Sequence, residues 1–120
     1  MRKRGTTNPN LMELIRLLRK VSNQYKARIW RALADHISRS HSRRITVNIS
    51  RLNRYTREGD IIVVPGKVLG AGILDHAVTI AALAFSKQAQ EKILMAKGKC
   101  ISIQELIKLN PKGSNVKIIG

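Results

Sequence analysis

The chain has 120 residues, 23 Lys+Arg against 7 Asp+Glu, a formal net charge of +16 and one cysteine, Cys100. That length suits a single domain with a core that needs no staples. A single cysteine excludes an internal disulfide, and no uninterrupted apolar run is long enough to span a bilayer. A charge this far beyond what solubility requires is the electrostatic footprint of a polyanionic partner.

The charge is uneven. Residues 1–60 hold 15 basic and 4 acidic side chains, and residues 61–120 hold 8 and 3. All 12 arginines precede residue 58, and every later basic residue is lysine. Arginine forks grip phosphates bidentately and stack on bases, whereas lysine acts as a point charge. The amino-terminal half is therefore the expected binding surface.

Residues 1–7 read as a flexible basic arm with Arg2, Lys3 and Arg4, ordered on a partner. The opening MRKRGTTNPN has charge but no apolar h-region, so no signal peptide is expected, and the protein reads as soluble and intracellular. Asn8-Pro9 starts a first helix over 9–23, with Asn8 as N-cap and Pro9 at the first helical position. Leu11, Leu14, Ile15, Leu18 and Val21 form its apolar stripe, and Arg16, Arg19 and Lys20 lie off it. A second helix over 26–39 turns Ile29, Trp30, Leu33, Ala34 and Ile37 inward and Arg28, Arg31 and Arg39 outward. Trp30 reads as a core or helix–helix anchor rather than a base-stacking platform.

Ser38 to Arg44 reads as a polar basic loop carrying His41, Arg43 and Arg44. Ile45, Val47 and Ile49 alternate with Thr46, Asn48 and Ser50, the pattern of a half-buried strand. Arg51, Arg54, Tyr55 and Arg57 follow within seven residues. A solvated structural turn and a phosphate-and-sugar contact patch both fit this cluster, and the global charge favours the second. Glu58-Gly59-Asp60 turns the chain into Ile61-Ile62-Val63-Val64, which predicts a strand buried on both faces. Pro65-Gly66 is expected to stop that strand, with Lys67 just beyond and a flexible Gly70-Ala71-Gly72 loop after it.

Ala77 to Phe85 reads as another inner strand. Ser86 caps a helix over 87–97, with Ala89, Ile93 and Leu94 inward and Gly98 as its stop. Lys99 to Ile101 is a short strand. Ser102 and Glu105 form a capping box for a short helix that ends near Asn110-Pro111. A turn at 111–114 precedes a last strand over 116–119. The order predicts an α/β fold with a mixed or parallel sheet and helices packed on it.

Catalytic and ligand motifs are missing. A P-loop, GxxxxGK[ST], would need glycine at 61 and a hydroxyl at 68, where Ile61 and Val68 stand. A dinucleotide fingerprint would need glycine at 75, where Asp75 stands. His36, His41 and His76 have no ligand spacing, and there is no CxxC, so no metal or cofactor is expected. Asp75-His76 is a poor dyad if the pair lies on a strand, because neighbours there point to opposite faces; in a loop that objection weakens. Binding remains. Three well-separated basic segments suit wrapping a large folded polyanion, and an aromatic content of 3% argues against a single-strand stacking platform. Folded RNA read by shape and phosphate is the expected partner. The alternative is a basic DNA- or chromatin-binding protein, against which the chain offers no zinc finger or basic zipper.

TNPNL at 7–11, VNISRLNRY at 47–55, VVPGKVLGAG at 63–72, VTIAALAFSKQAQEKI at 78–93 and NPKGSNVKII at 110–119 resemble, in order and spacing, the large-subunit ribosomal protein eighteen-e family in its archaeal form. The resemblance covers nearly the whole chain. It implies a core fold shared with the carboxy-terminal domain of the large-subunit ribosomal protein fifteen family. That fold is a single-domain α/β arrangement, an irregular superhelix of strand-strand-helix turns, here preceded by two helices and the basic arm. It implies a non-enzymatic constituent of the large subunit, cytoplasmic and ribosome-bound, whose partners are large-subunit ribosomal RNA and neighbouring ribosomal proteins, with no membrane and no small-molecule substrate. The candidate RNA-contacting residues are Arg2, Lys3, Arg4, Asn8, Arg16, Arg19, Lys20, Arg28, Arg31, Arg39, Arg43, Arg44, Arg51, Arg54, Tyr55, Arg57 and Lys67. Of these, VNISRLNRY supplies Arg51, Arg54 and Tyr55, and VVPGKVLGAG supplies Lys67.

Overall fold

In a computed structural model, the structure describes residues 9–39 and 45–120. The expected arm at 1–7, the Asn8 cap and most of the loop before the first strand lie outside the described residues. Helices α1 (Pro9–Tyr25) and α2 (Arg28–Arg39) come first. They are followed by β1 (Thr46–Asn48), α3 (Ile49–Tyr55), β2 (Ile61–Leu69) and β3 (Thr79–Phe85). The chain closes with α4 (Lys87–Met95), β4 (Lys99–Ser102), α5 (Ile103–Leu109) and β5 (Val116–Ile118).

The sheet runs β1-β2-β3-β4, and every pairing is parallel. β5 shares the β1 side of β2: it pairs with Ile61–Val63, while β1 pairs with Lys67–Leu69. The parallel connections run through α3, α4 and α5 and, between β2 and β3, through a loop over 70–78, and the helices cover both faces. Ile62, Val63 and Val64 are each 0% exposed, so the strand buried on both faces is as the β-branched run predicts. Alternation splits the run. Val63 joins Ala81 and the inward faces of α1, α2 and α5. Ile62 and Val64 join Ile80, Ala82, Ile49 and Leu52 of α3, and Ala89 and Ile93 of α4. The molecule is a sheet between two helical layers, α1, α2 and α5 on one side and α3 and α4 on the other.

The first two helices follow their apolar spacing. Leu14, Ile15, Leu18 and Val21 of α1 and Trp30, Leu33, Ala34 and Ile37 of α2 are buried. Trp30 is the expected anchor: its Nε1 donates to the Pro111 carbonyl at 2.7 Å, tying α2 to the turn before β5. Ser86 Oγ accepts from the Ala89 amide at 3.1 Å, and the Ser102–Glu105 capping box is complete.

Five expectations are corrected. Ser38 and Arg39 finish α2, as the helix expected over 26–39 has it, so the loop expected from Ser38 begins only after Arg39. The alternating strand ends at Asn48; Ile49 and Leu52, three apart and both buried, turn the next segment into α3. Pro65-Gly66 does not end β2. A register shift between Val64 and Lys67 marks a bulge there, which accommodates a proline with no ladder donor. Leu94 points outward, because Ala89 and Ile93 already define the buried side of α4. Gly98 is not the left-handed residue that closes α4. Lys97 is, at φ 67, with its amide on the Leu94 carbonyl and the Gly98 amide on the Ile93 carbonyl.

Candidate nucleic-acid interface

Burial of one stripe on each helix leaves the charged positions outside. On α1, Arg16, Arg19 and Lys20 are exposed, and on α2 so are Arg28, Arg31 and Arg39. Arg19 reaches Asp35 across the helix pair at 3.7 Å, with both side chains half in solvent, a contact worth little. Among the described residues it is the only candidate-site cation with a carboxylate within ion-pair distance. Among the described residues, the other candidate-site cations have no Asp or Glu side chain within ion-pair distance.

The second cationic surface is α3. Ile49 and Leu52 face the core, so Arg51, Arg54 and Tyr55 face out. The Arg51 guanidinium lies over the Tyr55 ring, 5.4 Å from its centroid, the i,i+4 spacing of one helix face. Arg51 Nη2 also reaches the Gly120 carbonyl at 3.5 Å. Tyr55 is 54% exposed. Arg57 follows, its backbone amide donating to Asp60 Oδ2 at 2.9 Å, while Lys117 Nζ sits 3.1 Å from the same oxygen. The Arg57 amide and then Lys117 hold the Asp60 carboxyl below its ordinary range. Lys67 is exposed on β2 beyond the bulge, level with Thr46 of β1 and Ala84 of β3.

Apart from Lys67 on the sheet, the described candidate residues thus fall into two groups. Arg16, Arg19, Lys20, Arg28, Arg31 and Arg39 belong to the layer on one face of the sheet, and Arg51, Arg54 and Tyr55 to the layer on the other, with Arg57 just after it. Arg51 and Tyr55 are brought into contact; the α1–α2 group and the α3 group are not. Arg2, Lys3, Arg4, Asn8, Arg43 and Arg44 lie outside the described residues.

Sequence reasoning missed what supports α3. Asn48 makes no side-chain cap, and the Ser50 amide donates instead to the Ala71 carbonyl at 3.0 Å. Asp75-His76 lies in a loop, where His76 Nδ1 is 2.8 Å from Asp75 Oδ1 and Nε2 is 2.6 Å from Thr56 Oγ1. The Thr-His-Asp connectivity is not a catalytic one. The Thr56 hydroxyl donates to the Leu52 carbonyl at 2.7 Å and is 7% exposed, so it offers no attacking oxygen to a substrate. Among the described residues no three His, Cys, Asp or Glu side chains gather as a metal site. Burial raises the Cys100 thiol, which lowers its reactivity. No helix among the described residues is long and apolar enough to cross a membrane.

A family model described as ribosomal protein 60S L18 and 50S L18e matches residues 1–120. Curated relatives named large ribosomal subunit protein eL18 match almost end to end. The one from Methanospirillum hungatei is 47% identical over 118 residues, covering 98% of each chain. The one from Methanoregula boonei is 50% identical, covering 94% of this chain and 93% of its own. The one from Methanothermobacter thermautotrophicus is 47% identical, covering 99% and 98%.

Proposed function

The chain belongs to the ribosomal protein 60S L18 and 50S L18e family, whose role is structural rather than enzymatic; from that premise we propose that it binds folded large-subunit ribosomal RNA through its arginine-bearing surfaces. Residues 1–120 act as one RNA-binding domain. The α1–α2 outer surface and α3 meet phosphates and sugars, and the basic residues at 2–4 and 43–44 add to them. The observation that carries this reading is that Arg16, Arg28, Arg31, Arg39, Arg51, Arg54 and Arg57 are exposed and have no Asp or Glu side chain within ion-pair distance among the described residues. Like charges left uncompensated on a folded surface repel, and a polyphosphate supplies the missing counter-charge. Arg51 stacked on an exposed Tyr55 adds a planar surface suited to a sugar or an unstacked base. The protein is then cytoplasmic and ribosome-bound, with large-subunit ribosomal RNA and adjacent ribosomal proteins as its partners.

The double variant Arg51→Ala, Arg54→Ala tests the reading. It is expected to weaken binding to large-subunit ribosomal RNA about tenfold or more, since a charge-assisted hydrogen bond contributes roughly 1.5–3 kcal/mol. Its thermal unfolding midpoint should stay nearly unchanged, because both side chains are exposed. A lowered midpoint with unchanged RNA affinity would make the cluster structural.

A further inference from the structure

We infer that the loop from Gly70 to Ala77 is the mould of α3, and that His76, Asn53 and Lys92 are positioning residues that act on RNA only through that helix. The inference rests on the reading of α3 as an RNA contact and deepens it.

Helix α3 has seven residues, too few to persist alone in water. Its own core contribution is Ile49 and Leu52. The loop meets it along its whole length. At the start, the Ser50 amide donates to the Ala71 carbonyl at 3.0 Å. In the middle, Asn53 Oδ1 accepts from the Asp75 amide at 3.1 Å. Just past the end, Thr56 meets His76 Nε2 at 2.6 Å, while the Thr56 hydroxyl closes back on the Leu52 carbonyl. Leu74 of the loop is buried in the same cluster as Ile49 and Leu52. The contact leaves no room for a side chain at Gly72, where a Cβ would stand 2.5 Å from Ser50 Cβ.

The loop is in turn held by α4. Lys92 Nζ donates to the Gly70 carbonyl at 2.6 Å and to the Gly72 carbonyl at 2.5 Å. At its far end Glu58 Oε1 accepts from the Ala77 amide at 3.1 Å. These bonds fix the rotation of α3 about its axis, and with it the directions of Arg51, Arg54 and Tyr55. The His76 side chain is 15% exposed, tucked between Asp75 and Thr56 rather than offered to a partner. A helix released from the loop keeps its arginines but must be ordered on binding, and that ordering weakens affinity.

The test is a thermodynamic cycle read by affinity for full-length large-subunit ribosomal RNA, with folding of each variant checked by circular dichroism. Its members are the unaltered protein, His76→Ala, the Arg51→Ala, Arg54→Ala pair, and the combination. His76→Ala is expected to weaken binding about threefold or more in the unaltered protein and to have almost no effect once the two arginines are gone. Asn53→Ala, which removes the Asn53 side-chain contacts with Asp75, is carried through the same cycle and decides the matter if His76→Ala does not fold. Equal losses in both backgrounds would overturn the inference, because His76 would then act independently of α3. No loss in the unaltered background would overturn it too. If the arginine pair itself leaves affinity unchanged, the reading of α3 as an RNA contact falls, and the inference with it.

Discussion

At the scale of single residues, the glycines of VVPGKVLGAG pose a choice that the sequence leaves open: tight turning, or close approach by RNA. Their surroundings are protein. A Cβ on Gly66 would lie 2.1 Å from the Ile45 carbonyl oxygen, the atom that also accepts from the Lys67 amide. A Cβ on Gly70 would meet the Gln88 side chain at 2.6 Å, and Gly72, at φ +105, is pressed on Ser50. Gly66 and Gly72 let one backbone pass against another, and Gly70 makes room for the Gln88 side chain. Gly66→Ala is expected to destabilise the fold by about 1–3 kcal/mol, as overpacking does, read as a lowered urea midpoint at constant slope. An unchanged midpoint with weakened RNA binding would restore the RNA-approach reading. Residue-level legibility followed sequence distance. The Ser102–Glu105 box was readable because both partners lie within one helical turn. The role of His76 was not, because Thr56 stands 20 positions away and a fold must join them.

At the scale of elements, periodicity carried the long helices and the central strand and failed at short ones. Five apolar positions at helical spacing are enough to place α1, and three-residue β1 is also where alternation puts it. Ile45-Val47-Ile49 looks like one continuous strand, however, until Leu52 supplies the helical spacing, and Asn48, a favoured N-cap type, makes no side-chain cap while the Ala71 carbonyl accepts from the Ser50 amide. Pro65-Gly66 reads as a terminator for a local reason, the missing donor and the free φ. The pairing of β2 with β1, β3 and β5 overrides it by absorbing the pair in a bulge. The end of α4 carries a testable cost. Lys97 occupies the left-handed position at φ 67, where a side chain is strained, and Gly98 comes one residue too late to relieve it. Lys97→Gly is expected to stabilise the protein by about 0.5–1 kcal/mol, measured by equilibrium denaturation. A loss of stability would mean that the lysine side chain makes up for its backbone.

At the scale of the whole molecule, the sequence made the family and the expectation of a polyanionic partner legible, and the geometry of contact illegible. Net charge and the confinement of arginine to the first 57 residues are properties of composition, so they survive without a fold. Whether those arginines share one surface depends on crossovers. The chain places α1 and α2 on one face of the sheet and returns through β1 to set α3 on the other. The basic half of the sequence is therefore not a basic half of the molecule; it supplies cations to two helical layers. The central claim is that these exposed, uncompensated arginines hold ribosomal RNA by its phosphates. It is tested most directly by the affinity for large-subunit ribosomal RNA across a salt series, for the unaltered protein and for Arg51→Ala, Arg54→Ala. Each neutralised phosphate releases about one counterion, so the account predicts a steep linear fall of log affinity with log salt, shallower by about two in the double variant. A flat line for the unaltered protein, or parallel lines for the two, would contradict it.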